Sequence, residues 1–389
     1  MLLLLLAADS QEAHALLQQG LVALQHGQLA EARNDLQQAS KLDAKNPYVW
    51  SSLAEVYLRL KEPEKALAAA KSAEAGAAGN PVISHALAMF YSEAGDLERA
   101  GQFEEKYAES PKADANALAR AAELYISAGD GAKALPLARR AIAKEDTPAT
   151  EDLLGRALVA TGDPAQAAKH LQAAWEGAKT DPQIAFDYAD ALLKGQEFSQ
   201  AAEVVNAALE AHPQDAQLTL ALGVSRYGQR RFDEAITLFL RVITIEPRVE
   251  QPYEFLGRML DQAGEHMPEI LKDYEAWAAK NPQNAKAQML LAKVLIAEDP
   301  KSKRAEELLR RSIVLDANDW ESHYELGVLL ANEHQYAAAA EQLSRSIQLD
   351  AKQPMPHYHL ARVYDRLGEP EKAKAERDIH RRLTGQSGE

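Results

Sequence analysis

The sequence predicts an all-α solenoid built from about eleven stacked helical hairpins. Three observations predict this fold class. Apolar residues recur at helical spacing in pairs of runs, with a short polar break between the two runs of each pair. These pairs follow one another along the 389 residues with a period of about 34. Alanine is abundant and cysteine is absent, which suits close-packed helices and leaves no disulfide or thiolate metal site.

The clearest copy of the repeat occupies residues 216–249. Its two apolar runs, 218–227 and 235–245, each have the spacing of one helix face. We expect Asp233 to cap the second helix and Pro247 to close it. The copy is therefore predicted to be one helical hairpin.

This copy resembles the tetratricopeptide repeat. That family places Leu-Gly or Leu-Ala at repeat positions 7 and 8, Ala at 20, a large apolar residue at 24, a small residue at 27 and often Pro near 32. The matching residues here are Leu222, Gly223, Ala235, Phe239, Val242 and Pro247. Small residues allow the two helices to cross closely. The resemblance covers residues 13–387, and it implies that the hairpins form a right-handed superhelix.

The copies divide the chain into a regular stretch, 13–249, two degenerate repeats, 250–319, and two regular repeats with a terminal capping helix, 320–387. The repeats are assigned to residues 13–46, 47–80, 81–114, 115–147, 148–181, 182–215, 216–249, 250–284, 285–319, 320–353 and 354–387. The eighth has an extra residue near His266 and a Trp at a small-residue position, and the ninth has a long charged turn at 298–303. We expect these two repeats to form a joint.

Turn residues support this register. Asp163 precedes Pro164, which predicts a capped helix with Pro in its first turn. Between repeats, pairs such as Asn46-Pro47 are expected to end one hairpin and begin the next.

The first residues, 1–12, have a different character. Leu2 to Leu6 and the two alanines after them resemble the end of the apolar region of a signal peptide, without the usual positive charges. The expectation is a truncated signal peptide and a periplasmic or secreted protein. The alternatives are an apolar lead-in to the first helix and a cytoplasmic protein. The stretch is shorter than the roughly 20 residues of a membrane helix, and no later segment predicts an integral membrane span.

The net charge and the absence of known catalytic motifs limit the classes of function that the sequence predicts. The formal net charge of −15 argues against nucleic-acid binding. The sequence contains no metalloprotease His-Glu-x-x-His, no serine-hydrolase Gly-x-Ser-x-Gly and no Gly-rich phosphate or dinucleotide motif. His357 and His359 lie two apart on a predicted helix, so they point away from each other and are expected to be ordinary surface histidines. We therefore predict no enzyme activity, no cofactor and no metal.

In proteins similar to this one, positions 2, 5, 9, 12 and 13 of the first helix face a concave groove that holds a peptide or partner helix. At these positions the first six repeats are acidic, with Glu55, Glu93, Glu123, Asp152 and Asp190 alongside Arg59 and Arg156. The last four repeats are more basic and aromatic. The candidate partner-binding residues there are Arg258, Met289, Lys293, Tyr324, Tyr358, Arg362 and Arg366. Arg suits the bidentate binding of carboxylates, so this part is hypothesised to bind an acidic segment.

Repeat proteins that bind chaperone tails carry Lys and Asn at positions where this chain has Leu17 and Leu21. Chaperone-tail binding is therefore not predicted. The leading hypothesis is a non-enzymatic scaffold that binds a peptide or partner protein in its groove, with a role in assembling an envelope or secretion complex. One alternative is a regulatory sensor that changes superhelical pitch when a peptide binds. Another is an adaptor that delivers substrate to a separately encoded enzyme. The oligomeric state is left open.

Overall fold

The computed structural model describes residues 2–110 and 113–385, and this part of the chain contains 22 α-helices and no strand. Two short 3-10 turns, Leu260–Gln262 and Gly264–His266, lie between α15 and α16. The helices are α1 (Leu2–Gln25), α2 (Leu29–Leu42), α3 (Pro47–Arg59), α4 (Pro63–Glu74), α5 (Pro81–Glu93), α6 (Leu97–Ala108), α7 (Ala115–Ser127), α8 (Gly131–Lys144), α9 (Pro148–Ala160), α10 (Pro164–Gly177), α11 (Pro182–Lys194), α12 (Phe198–Ala211), α13 (Ala216–Gly228), α14 (Phe232–Ile245), α15 (Gln251–Arg258), α16 (Met267–Lys280), α17 (Ala285–Glu298), α18 (Lys303–Leu315), α19 (Trp320–Asn332), α20 (Tyr336–Leu349), α21 (Pro354–Leu367) and α22 (Pro370–Leu383).

The helices belong to two compact units, Met1–Gly195 and Gln196–Glu389. Within each unit, consecutive helices pair into hairpins, as α3 does with α4 and α19 does with α20. The first helices of successive hairpins also contact each other, as α7 does with α9 and α17 does with α19. The predicted all-α solenoid of hairpins is therefore confirmed. The boundary after Gly195 lies inside the sixth predicted repeat, and the divisions proposed from the sequence at 249 and 319 stay predictions.

Capping side chains mark several of the helix starts, as in α7, α10 and α13. Asp163 accepts a hydrogen bond from the backbone N–H of Gln166 at 3.1 Å, so the predicted cap of α10 is confirmed. The predicted cap Asp233 is wrong. Helix α14 begins at Phe232, two residues earlier than this cap implies, with Arg231 at the cap position and Asp233 in the first turn. There its Oδ1 lies 3.1 Å from Nε2 of His266, which offers the carboxylate a partner outside its own helix.

Glycine at repeat position 8 allows the two helices of a hairpin to approach. A Cβ atom on Gly223 would lie 2.7 Å from Cε1 of Phe239, and one on Gly327 would lie 2.7 Å from Cγ of Leu343. Phe239 and Leu343 are completely buried. The packing reason inferred from the sequence is therefore present in the structure.

The turn inside most hairpins contains one residue with a left-handed backbone. Glycine occupies this place in several repeats, as Gly95 and Gly129 do. In others the residue carries a side chain, as in Lys61 with φ 60°, Arg230 with φ 61° and His334 with φ 64°. L-residues with side chains pay a steric cost in this region that glycine does not. These turns therefore share one backbone geometry, but the steric cost is higher where the left-handed residue carries a side chain.

The eighth repeat departs from this pattern. Its first helix, α15, ends at Arg258 after eight residues, and the two 3-10 turns lead into α16. Trp277 is buried and stacks on Tyr253 with ring centroids 4.3 Å apart. The joint expected in repeats eight and nine stays a prediction.

The structure places α1 at the start of the chain, from Leu2 to Gln25. Met1 and the side chains of residues 2–9 lie outside what is described, so the signal-peptide prediction stays a prediction. None of the described helices combines the length and the apolar character that a membrane span requires.

Candidate functional site

An open cavity of about 500 Å³ lies in the first unit, across the first helices of four successive hairpins, α5, α7, α9 and α11. One residue of α6, Glu104, closes one side. Its apolar walls are Ala88, Met89, Ala119, Leu124, Ala149, Leu153 and Ile184. Its polar and charged lining is Ser92, Glu104, Arg120, Glu123, Asp152, Arg156, Asp181 and Gln183.

The repeat explains why these side chains meet. Met89, Glu123 and Arg156 occupy position 9 of their repeats, and Ala119 and Asp152 occupy position 5. Equivalent positions of stacked first helices lie side by side on one face. Small residues such as Ala119 leave the space that the cavity occupies.

A second cavity of about 340 Å³ adjoins the first. It is lined by residues of α3 and α5, including Leu58, Arg59 and Phe90, and the two cavities share Met89. Met89 is 58% exposed although it is apolar. The first-helix face from α3 to α11 therefore offers one continuous, partly apolar surface, which we call the unit 1 groove.

Arg156 lies at the centre of a cluster of charged residues in this groove. Its guanidinium donates two hydrogen bonds to Glu123, at 2.9 Å and 2.7 Å. Its Nε lies 3.7 Å from Oδ2 of Asp187, and its Nη1 lies 3.9 Å from Oδ2 of Asp152. Burial alone would lower the pKa of Arg156, but the hydrogen bonds and the surrounding carboxylates raise it overall. One guanidinium therefore faces three carboxylates.

Asp152 is the least satisfied of these groups. It is only 6% exposed, and its Oδ1 has no hydrogen-bond partner among the described residues. Burial, helped by the negative charges of Asp187 and Glu123, raises the pKa of Asp152 to about 8, although Arg156 opposes the shift. Burial also raises the pKa of Asp187, against the hydrogen bond from Gln183. At neutral pH the Asp152 carboxyl is therefore mostly protonated.

Glu104, by contrast, is a buried carboxylate with partners. Its Oε2 lies 2.7 Å from Nδ1 of His85, and its Oε1 accepts a 2.7 Å hydrogen bond from Nε of Arg120. The arginine also lies over the ring of Tyr107, 5.9 Å from its centroid. Glu104 therefore positions Arg120 and His85, and it has less spare capacity for a ligand than Asp152.

Two of the partner-binding candidates in the second unit are engaged inside that unit. Met289 is only 2% exposed and packs in the core, which leaves almost no surface for a partner. Lys293 lies 2.7 Å from Glu321 and 3.5 Å from Glu325. Burial lowers the pKa of Lys293, but the two carboxylates outweigh it and raise the pKa overall.

The structure brings three other candidates together. The guanidinium of Arg362 lies 5.6 Å from the ring centroid of Tyr358. His359, to which the sequence analysis gave no binding role, contacts Tyr358 and Tyr324 edge-on, at 5.2 Å and 5.6 Å between centroids. Burial and the nearby charge of Arg362 lower the pKa of His359 to about 4. We call these four residues the unit 2 aromatic cluster.

The last two candidates, Arg258 and Arg366, are exposed. Arg258 lies over the ring of Phe255, 5.7 Å from its centroid. Arg366 lies one helical turn after Arg362 on α21, so both present charge from the same helix.

The expectation of ordinary surface histidines is wrong for His357. This side chain is buried, and its Nδ1 lies 2.5 Å from Oε2 of Glu376. In another hairpin the pair is reversed, and His170 of the second helix, α10, lies 2.6 Å from Glu151 of the first, α9. Each pair joins the first helix of a hairpin to its second, so the histidine is part of the packing. In the described part of the chain, no group of three or more His, Cys, Asp or Glu side chains is arranged to hold a metal ion.

Comparison with known families gives two matches. Two sequence models, each described as a tetratricopeptide repeat, match residues 17–81 and 158–224. These two stretches of the chain are therefore tetratricopeptide repeats. Tetratricopeptide repeats commonly serve as protein–protein interaction scaffolds. Among curated proteins, no sequence matches.

Several solved structures resemble the chain at low identity. Yeast Tom70 is 13% identical, with 96% of this chain and 92% of that one covered and a TM-score of 0.46. Human IFIT1, as a dimer with PPP-AAAA, is 17% identical, with coverage of 94% and 89% and a TM-score of 0.45. MamA from Desulfovibrio magneticus is 19% identical, with coverage of 46% and 98% and a TM-score of 0.38.

The tetratricopeptide register placed Glu123, Asp152 and Arg156 on the groove face, and the structure brings these three together. It did not mark the apolar walls, such as Leu124 and Leu153. These residues are at repeat positions 10 and 6, outside the positions expected to face the groove. Aligning the copies would have shown the small Ala119 beside Asp152, which is the one sequence signal for a cavity there.

Proposed function

We propose that this protein binds an extended or helical segment of a partner protein in the unit 1 groove. The observation that carries the proposal is the open cavity of about 500 Å³, with apolar walls and charged groups at defined places. Peptide-binding grooves combine apolar pockets, which give affinity, with a few polar groups, which give orientation.

Exposed apolar residues support the same surface. Met89 joins the two cavities, and Val82 on the same helix is also exposed. Apolar residues that cluster in a concave surface rimmed by charge mark interaction sites more often than scattered ones do. The rim here consists of Glu55, Arg59, Glu93, Arg120 and Glu123.

A steric variant tests the proposal. A phage-displayed library of random peptides is selected on the full chain, and the enriched peptides are measured against Ala119→Trp. Ala119 lies in the cavity wall on a first helix, so a Trp there fills the cavity without entering the core. We expect binding to weaken by about tenfold or more.

The matched control is Val314→Trp, an exposed position on α18 in the other unit, which should bind as the wild type does. Circular dichroism checks that both variants fold. Peptides that bind Ala119→Trp as tightly as the wild type would contradict the proposal, and so would a selection that enriches none.

The unit 2 aromatic cluster supports a second, separate proposal, an acidic segment bound by Arg362 and its neighbours. The supporting observation is that Arg362 is exposed and lies over Tyr358, a pairing that holds the guanidinium outward.

Arg258→Glu combined with Arg362→Glu should abolish binding of peptides with acidic residues or free C-terminal carboxylates. The control is Arg345→Glu on α20. Unchanged affinity in a folded double variant would contradict it.

A role in an envelope or secretion complex, outside the cytoplasm, is proposed on the signal-like residues 1–12. Purification from the native source with a C-terminal tag, followed by mass spectrometry, tests it. A processed N-terminus with envelope companions would support the location. An intact N-terminus with cytoplasmic companions would favour the sensor or adaptor alternatives.

A further inference from the structure

We propose that the unit 1 groove selects partner segments with a lysine side chain, whose ammonium group pairs with Asp152. This inference rests on the proposed function and names the chemistry of the partner at the same site. It begins from the charge balance around Arg156. Glu123, Asp152 and Asp187 surround this single guanidinium, so the cluster has three acidic groups and one basic group.

The distribution of contacts shows which carboxylate is available. Arg156 gives both of its short hydrogen bonds to Glu123 and reaches Asp152 only at 3.9 Å. The other oxygen, Oδ1 of Asp152, is buried without a partner. A buried carboxyl oxygen with no partner loses its hydration without compensation, and a cationic donor is the partner that restores most of it. Asp152 lines the cavity and is 6% exposed, so a ligand in the cavity lies beside its carboxyl group and reaches Oδ1 when the group turns about the Cβ–Cγ bond.

The walls fit the rest of a lysine side chain. Ala119, Leu153 and Ile184 line the same cavity as Asp152. Lysine carries a flexible aliphatic stem that packs on apolar surface and a compact ammonium group at its end. A guanidinium is broader and planar, and the cavity already holds one in Arg156. The occupant with an apolar stem and a small cationic end is therefore favoured.

Binding of this kind releases a proton. The groups that face Asp152 are Asp187 from α11, Asp181 at the N-cap of α11, Glu123 from α7 and Arg156 from its own helix. Burial and the three carboxylates raise the pKa of Asp152 to about 8 against the opposing charge of Arg156, so the carboxyl is mostly protonated at neutral pH. An ammonium group beside it stabilises the carboxylate form, so the carboxyl proton passes to the solvent while the lysine stays charged.

The experiment uses the full chain and peptides from the random library described above. The selected peptides should be enriched in lysine. Replacing that lysine with norleucine, which keeps the stem and removes the charge, should weaken binding to the wild type by about tenfold or more. On the Asp152→Asn variant the same replacement should change affinity little. Calorimetry in two buffers with different ionisation enthalpies should show about one proton released by the wild type and none by the variant.

Asp190→Asn is the matched control, because Asp190 is an aspartate of the neighbouring first helix, α11, that does not line the cavity and pairs with Lys194 at 2.6 Å. It should keep both the affinity and the proton release. If peptides bind in the groove, as Ala119→Trp reports, but norleucine replaces lysine without loss, this inference is overturned and the proposed function stands. Proton release that persists in Asp152→Asn would also overturn it. If Ala119→Trp leaves binding unchanged, the proposed function fails first.

Discussion

The unit 1 groove and the candidate surface of the second unit are formed by equivalent repeat positions. They differ in whether their charged residues already have partners within the protein. In the first unit, Asp152 has an oxygen without a partner and faces an open cavity. In the second, Lys293 has two carboxylate partners and Met289 is in the core. The partner-binding residues predicted from the sequence lie in the second unit, because its charges suit an acidic partner.

The difference shows that a charged residue at a groove position is informative only with its neighbours. Glu321 and Glu325 belong to the repeat after that of Lys293 and neutralise it. Asp152 also has a cation nearby, but Arg156 is already bound to Glu123. Availability for a partner is thus decided between repeats, by which charges are left over after the internal pairs form.

The largest change in stability is expected when Lys293 is replaced, and it tests whether this residue stabilises the fold. Lys293→Met leaves Glu325 buried without its cation, which should destabilise the protein by about 3 kcal/mol in denaturant unfolding. Adding Glu325→Leu removes the uncompensated charge and should restore most of the loss. A single variant within about 0.5 kcal/mol of the wild type would mean that Lys293 is free for a partner after all.

A smaller effect of opposite sign, a gain in stability, is expected when Asp152 is replaced. Its pKa in the folded state, about 8, lies above its ordinary value of 3.8. The folded state therefore binds more protons between these values, and stability falls as the pH rises through this window. Asp152→Asn removes this cost and should stabilise the protein by about 2 kcal/mol near pH 9, with little effect near pH 4. Unfolding curves at the two pH values check it. An equal effect at both would contradict the buried, protonated carboxyl.

His359 should show the opposite pH response. Its pKa in the folded state, about 4, lies below its ordinary value of 6.5. The unfolded state therefore binds more protons in this interval, and stability falls as the pH drops through it. His359→Gln should reduce that fall by about 1 kcal/mol. Because the variant also loses ring contacts with Tyr324 and Tyr358, the slope against pH is compared rather than the stability at one pH. An unchanged slope would show that the imidazole is solvated.

The smallest effect should be equal in the two units. Lys61→Gly in the first and His334→Gly in the second both remove a side chain from a left-handed backbone. Each should raise the melting temperature slightly, for a gain of about 0.5 kcal/mol. Gly129→Ala, at the same turn, is the control and should lose a similar amount. If the two units differ here, their turns are not under the same steric constraint.

Most of the fold could be predicted from the sequence, because each repeat repeats the same local signals. Helical periodicity and caps such as Asp163 determine a hairpin without reference to distant residues. The misplaced cap at Asp233 shows the limit, because a polar residue in the first turn resembles a cap until the backbone is known. The site was less predictable. The positions of Asp152 and Arg156 follow from the register, whereas the burial of Met289 and His357 depends on packing that the register does not encode.

The close approach at repeat position 8 has a consequence for how such an array changes over time. Where position 8 is glycine, as in Gly20 and Gly155, a leucine from the second helix fills the space, Leu36 and Leu171 respectively. Such a glycine and the side chain that fills its space belong to the same hairpin, so exchanging only one of the two helices with a copy that lacks this pairing would create a clash or a void. The whole hairpin is the segment that duplication or recombination can move without loss, and grafting experiments on this chain should cut between hairpins.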